Sequence, residues 1–103
     1  MGLRPRQTLT IASGGTSSAT FAVPDDKTLL AKIQAPATLP ETVTLRSLVT
    51  GSTYTVVQDG GFDVTIAAGK CVQTILGGGT YQLTASGAVA ADRAFALDLY
   101  DLT

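Results

Sequence analysis

The sequence predicts an all-β protein, a single-domain antiparallel β-sandwich of about eight or nine strands, on three observations. The stretch Thr42 to Ile66, TVTLRSLVTGSTYTVVQDGGFDVTI, holds three alternating runs rich in β-branched residues, separated by Thr50-Gly51-Ser52 and Asp59-Gly60-Gly61. That is the pattern of a three-strand antiparallel meander. Turn signals recur roughly every 8 to 12 residues along the whole chain with no amphipathic helix between them, the signature of a sandwich or a barrel. Finally, 103 residues make one domain, large enough to bury roughly 65% of its unfolded surface and fold without metal or disulfide.

Taken in order, Met1 to Gln7 (MGLRPRQ) has a proline and two arginines but no alternation. It reads as an extended arm (residues 1–7) ahead of a sandwich domain (residues 8–103). Thr8 to Ile11 is a first strand with Leu9 and Ile11 facing in. Ser13 to Ser18 is a flexible turn, and Ala19 to Val23 returns with Ala19, Phe21 and Val23 inward. Pro24-Asp25-Asp26-Lys27 is expected to break this strand as a solvated turn. The alternation resumes over Leu29 to Ala35, with Leu29, Ala31, Ile33 and Ala35 on one side and Lys32 and Gln34 on the other. Pro36 and Pro40 bracket a loop that crosses between sheets, because neither can donate to a ladder.

In the meander, Val43, Leu45, Ser47 and Val49 share one face, and Thr44, Arg46 and Leu48 the other. Ala67-Ala68-Gly69 then turns into Lys70 to Ile75. Gly77-Gly78-Gly79 is expected to open a hairpin into Thr80 to Thr84 with Tyr81 and Leu83 inward. A P-loop is set aside there, since no Lys-Ser/Thr pair and helix follow the glycines. After the small-residue connection Ala85 to Asp92, the last strand, Arg93 to Tyr100, sends Phe95, Leu97 and Leu99 inward and Asp98 and Tyr100 outward. The expected core is Leu9, Ile11, Phe21, Val23, Ile33, Val43, Leu45, Val56, Phe62, Val64, Ile66, Val72, Tyr81, Leu83, Phe95, Leu97 and Leu99, each contributing ~1.5–3 kcal/mol when fully buried.

The chemical inventory is narrow. Histidine is absent, and Cys71 is the single cysteine, so catalytic dyads built on histidine and nitrogen or sulfur metal sites have no ligand set. Cys71 reads as a small buried hydrophobe, since a thiol nucleophile needs an activating base. The aspartates, among them Asp25, Asp26, Asp59 and Asp63, match no calcium-loop spacing. No enzymatic activity, cofactor or metal is therefore expected. Seven basic residues against eight acidic ones give a net charge of −1, without the basic excess that phosphate-backbone binding requires, so a nucleic-acid partner is not expected. No apolar run approaches the ~20 residues that span a bilayer, and no apolar segment follows Arg4 and Arg6 as in a secretory signal, so neither a membrane partner nor export is expected. Alternation sends Phe21, Phe62, Phe95 and Tyr81 inward and leaves Tyr54 and Tyr100 as the aromatic pair from which a sugar-stacking platform would be built. The arm carries two of the seven basic residues. Its expected role is to order on a neighbouring subunit, with Arg4 and Arg6 pairing to carboxylates and Leu3 filling a small apolar pocket.

The segments TLTIASGGTSSATFAV, LLAKIQAP, TVTLRSLVTGSTYTVV, GGTYQLTASG and ADRAFALDLYDLT, taken together, resemble a family of small β-sandwich proteins encoded among the virion genes of tailed bacteriophages. The resemblance covers nearly all of the chain beyond the arm, and departs from the family's pattern around Asp59 to Lys70, where a Trp often found there is missing. It implies a jelly-roll-like fold and a structural role as a capsid decoration (cement) protein that stabilises the head from outside. The implied partners are the major capsid protein or another virion protein and further copies of the chain, a trimer being favoured. The implied location is the virion, assembled in the host cytoplasm. A neck or tail accessory protein and a host-attachment or carbohydrate-binding module are the alternatives on the same fold.

Overall fold

A computed structural model describes residues 2–102 of the chain as nine strands with no helix. They are β1 (Gln7–Ile11), β2 (Phe21–Gln34), β3 (Val43–Thr50), β4 (Thr53–Val56), β5 (Gln58–Asp59), β6 (Phe62–Asp63), β7 (Thr65–Ile66), β8 (Cys71–Ala85) and β9 (Arg93–Asp101). The first pairs with the last, β2 with β8, β3 with β7, and β5 with β6, all antiparallel. This nesting is that of one long hairpin rolled up on itself, the jelly-roll-like arrangement. The main sheet runs β1-β9-β2-β8-β3-β4 with β7 also on β3, while β5 and β6 form a separate small hairpin.

The sheet curls into two facing layers because β2 and β8 serve both. Leu29 to Gln34 of β2 lie between β9 and the Cys71–Leu76 half of β8. Phe21 to Val23 instead meet Gly79 to Tyr81, and β8 continues from there alongside β3. The alternation in each strand sends one set of side chains between the layers: Leu9, Ile11, Leu29, Ala31, Ile33, Leu76, Phe95, Leu97 and Leu99 from one, and Phe21, Val23, Val43, Leu45, Val64, Ile66, Tyr81, Leu83 and Ala85 from the other. Phe21 and Tyr81 stack with ring centroids 5.6 Å apart. Two loops add plugs that alternation does not foresee, Leu39 from the proline-bracketed crossing and Val89 from the small-residue connection. The second loop is tied to the first turn by Gly14 N–H donating to Val89 O (2.8 Å) and Val89 N–H donating to Gly15 O (3.0 Å).

The bend shared by β2 and β8 corrects two expectations. Pro24 to Lys27 do not end a strand; they form an irregularity inside a continuous β2, with the pairing register shifting between Val23 and Thr28. Gly77 to Gly79 do not turn a hairpin either, since they run through the middle of the 15-residue β8. Their need is space. A Cβ on Gly78 would lie 2.5 Å from Asp25 Cα, 2.9 Å from Asp25 O and 2.9 Å from Pro24 O, so the bulged backbone of β2 presses where a side chain would stand. The Tyr81 hydroxyl donates to Gly77 O at 2.7 Å and fixes the same corner. Burial holds the Tyr81 phenol above its ordinary pKa.

Some expected core positions lie elsewhere. Phe62 is 79% exposed at the tip of the β5–β6 hairpin, which leaves the edge of β3 instead of forming its third full strand. Val56 and Val72 are half-buried, the first because β4 is the outermost strand and its Val56 pairs with outward-facing Arg46. Ala19 is exposed ahead of β2. Cys71 is exposed as well, because it is the cross-strand partner of outward-facing Gln34 at the start of β8.

Candidate interaction surface

The segment expected to be a free arm is laid along its own chain's β9. Arg4 N–H donates to Leu99 O (2.8 Å), Asp101 N–H donates to Gly2 O (2.9 Å), and Leu3 bridges Tyr100. Gln7 already belongs to β1, opposite Leu97. Residues 2–6 thus prolong the β1 edge past the interruption at Pro5, which has no N–H to give. Arg4 and Arg6 do pair with carboxylates, as expected, but with carboxylates of the same chain. The Arg4 Nε donates to Asp101 Oδ1 at 2.6 Å. The Arg6 guanidinium grips Asp98 with two bonds, Nε to Oδ1 at 3.0 Å and Nη2 to Oδ2 at 2.8 Å, the fork geometry that favours arginine over lysine.

These pairs shift ionisation in the direction their geometry demands. The hydrogen bonds from Arg6 hold the Asp98 carboxyl below the usual carboxylate range, with the charges of Arg6 and Lys32 adding to them against a burial penalty, and Arg6 is raised in turn. Arg4 does the same to Asp101. Asp98, expected in open water, is only 4% exposed, although the cover is thin, since the Arg6 side chain above it is itself 57% exposed. The outward direction expected for the Asp98 side chain is correct, but the arm closes over it.

Cross-strand register shows what else lies on this outer face. Tyr100 stands beside Leu30, and Leu30 beside Ile75. Together with Leu3 on Tyr100 they make one apolar row, Leu3–Tyr100–Leu30–Ile75, across the arm, β9, β2 and β8. Leu3 (60%) and Ile75 (63%) are exposed at its ends, and Tyr100 and Leu30 are half-buried between them. Leu3 fills no pocket of its own chain. The neighbouring row carries Gln73, Lys32 and Asp98, with Arg6 over Asp98. Of the residues proposed from sequence, Leu3, Arg6 and Tyr100 are therefore gathered on one face, whereas Asp101 is the cross-strand partner of inward-facing Leu29, so the Arg4–Asp101 pair lies on the other side of the strand at the end of the sheet. Leu30, Ile75 and Lys32 complete it; Lys32 was read with the outward set of its strand, whereas Leu30 and Ile75 gave no signal beyond their parity.

Tyr54 is not part of it. It lies half-buried on β4, paired with Leu48, on the outer face of the opposite layer. The two tyrosines therefore form no common platform. That second face carries Arg46, whose Nε is buried without a hydrogen-bond partner, between Val56 and Gln82. Among the described residues no group of three or more potential metal-ligating side chains comes together, and no helix is long and apolar enough to cross a membrane. Comparison with protein-family models, with curated proteins and with solved structures returned no match for this chain.

Proposed function

We propose that this chain is a structural protein of a tailed-phage virion, a decoration or cement protein that acts by adhesion to the outer surface of the head. The observation that carries the reading is the exposed apolar row Leu3–Tyr100–Leu30–Ile75 on a two-layer body, bordered by a clasped arm whose charges are internally paired. Such a face supplies apolar contact area on a rigid backbone, so little conformational entropy is lost when a second rigid surface meets it. Arg4 and Arg6 contribute by holding Leu3 in place, with their own charge already largely spent on Asp101 and Asp98.

The proposed partner is the major capsid protein or another virion protein, and the proposed location is the assembled particle. A sugar-binding role is favoured less, because Tyr54 and Tyr100 lie on opposite faces and neither has a second aromatic ring beside it in the register. Incubating the purified protein with phage heads, with isolated tails and, separately, with a glycan array tests the choice. Saturable retention on heads with no glycan binding is expected. Glycan binding lost on Tyr100→Ala or Tyr54→Ala, without retention on heads, would replace this reading with the attachment-module one, and retention on tails alone would move it to the neck or tail.

A further inference from the structure

Outside the row two more large apolar side chains are exposed on strands, Val49 near the end of β3 and Phe62, the more exposed of the two and the one set among acidic neighbours. Phe62, 79% exposed, tips the β5–β6 hairpin. Gly60 and Gly61 take the positive φ values (63° and 86°) that let the chain reverse there in two residues. Asp59 and Asp63 flank the ring, and no basic residue occurs from Val57 to Gly69. The hairpin is held by internal bonds: Gln58 Nε2 donates to Asp63 Oδ1 (2.9 Å), and Thr74 Oγ1, on the inner side of β8, donates to Asp59 Oδ2 (3.2 Å). Being anchored at the inner side of β8, the hairpin does not lay Phe62 on the outer-face row of its own chain, and the exposure of the ring shows it uncovered.

We infer that the occupant of the Leu3–Tyr100–Leu30–Ile75 row is the Phe62 hairpin of a second copy of this chain. The inference rests on the reading of that face as adhesive and refines it: with each row filled by the next copy's hairpin, retention on the head comes from linked copies acting together. Charge supports it: on the outer face Arg6 is paired with Asp98, which leaves Lys32 as the unbalanced positive charge that the acidic hairpin tip would meet. An aromatic anchor entering an apolar strip with a polar rim is the arrangement in which a few side chains carry most of the affinity. Because knob and strip are different surfaces of one protomer, the contact is head-to-tail, and copies linked this way close into a ring or run on as a chain.

The test uses sedimentation velocity over a concentration series of the full chain and of two surface variants, Phe62→Ser and Ile75→Asp. Both positions are exposed, and circular dichroism verifies that both variants keep the fold. Wild type is expected to self-associate, more weakly at high salt. Each variant alone is expected to lose association by about tenfold or more in Kd. An equimolar mixture should recover pairs and nothing larger, since Phe62→Ser keeps its strip and Ile75→Asp keeps its knob. A monomeric wild type, undiminished association of Phe62→Ser, or a mixture that stays monomeric overturns the inference. Retention on heads separates it from the function proposed above. If Phe62→Ser assembles like wild type while Ile75→Asp still leaves the head, the inference fails and the adhesive reading stands. If assembly behaves as expected while neither variant changes retention, the inference stands without that reading.

Discussion

Replacing Gly78 by alanine probes the corner at which the sheet turns from one layer into the other. The added Cβ would sit 2.5 Å from Asp25 Cα and 2.9 Å from two carbonyl oxygens of β2. All three are backbone atoms, so no side-chain rotation relieves the overlap, and strands β2 and β8 must move apart. Overpacking of this kind costs ~1–3 kcal/mol. Gly77 is the internal control. A Cβ there meets nothing within 4 Å, its φ is not positive, and Gly→Ala at a compatible site stabilises by ~0.4–1 kcal/mol through the unfolded chain. The two variants should therefore differ by roughly 1.5–4 kcal/mol in urea melts followed by far-ultraviolet circular dichroism, or about 4–8 °C in Tm per kcal/mol for a domain of this size. Equal effects, or a more damaging Gly77→Ala, would refute the continuous strand and return the three glycines to a hairpin turn.

Other perturbations have outcomes set by the same geometry. Leu97→Ala should cost ~2–5 kcal/mol in the same melts, since Leu97 is fully buried between the layers. Asp98 and Asp101 have folded-state pKa values below their unfolded ones, so the unfolded chain binds more protons at acid pH. Their contribution is present above the unfolded carboxylate value near 3.9 and is lost as pH falls through the folded values. Melts between pH 6 and pH 2 should accordingly lose less stability in Asp98→Asn than in wild type. Tyr81→Phe should destabilise by ~0.5–1.5 kcal/mol through loss of the bond to Gly77 O. Wild type should also lose stability above the ordinary phenol pKa of about 10, because the raised folded value makes the phenolate the disfavoured form in the native state, and Tyr81→Phe should remove part of that loss. Deleting residues 1–6 should lower Tm, since this removes both clasps on β9; an unchanged melt would mean that the arm is a bystander.

Alternation was a good guide wherever a strand ran between two others. Leu29 to Gln34, Val43 to Leu48 and Phe95 to Leu99 place their odd and even residues on the faces that period two requires. It was least informative at edges and corners. Phe62 carries the same local signal as Phe95, yet it tips an excursion from the edge of β3, where no second layer lies over it. Pro24 to Lys27 and Gly77 to Gly79 look like two independent breaks in the sequence. They are two halves of one device, a bulge and the space that receives it, and nothing local records that residues more than 50 positions apart abut. The interaction face was half legible. Arginines near an extended terminus suggested carboxylate partners, but that these were Asp98 and Asp101 followed only once β1 lay beside β9. The same pairing placed Tyr100 next to Leu3 and separated it from Tyr54.

The claim on which the functional account rests is that the outer face of β9, β2 and β8 adheres to a virion surface. Cosedimentation of wild type and a Leu3→Asp/Ile75→Asp double variant with purified phage heads measures it directly. Both substituted side chains are exposed, so the fold is retained and the apolar row alone changes. The account predicts saturable binding of wild type and at least tenfold weaker binding, about 1.4 kcal/mol or more, of the double variant. Wild type that stays in the supernatant, or a double variant that binds as wild type does, would contradict it.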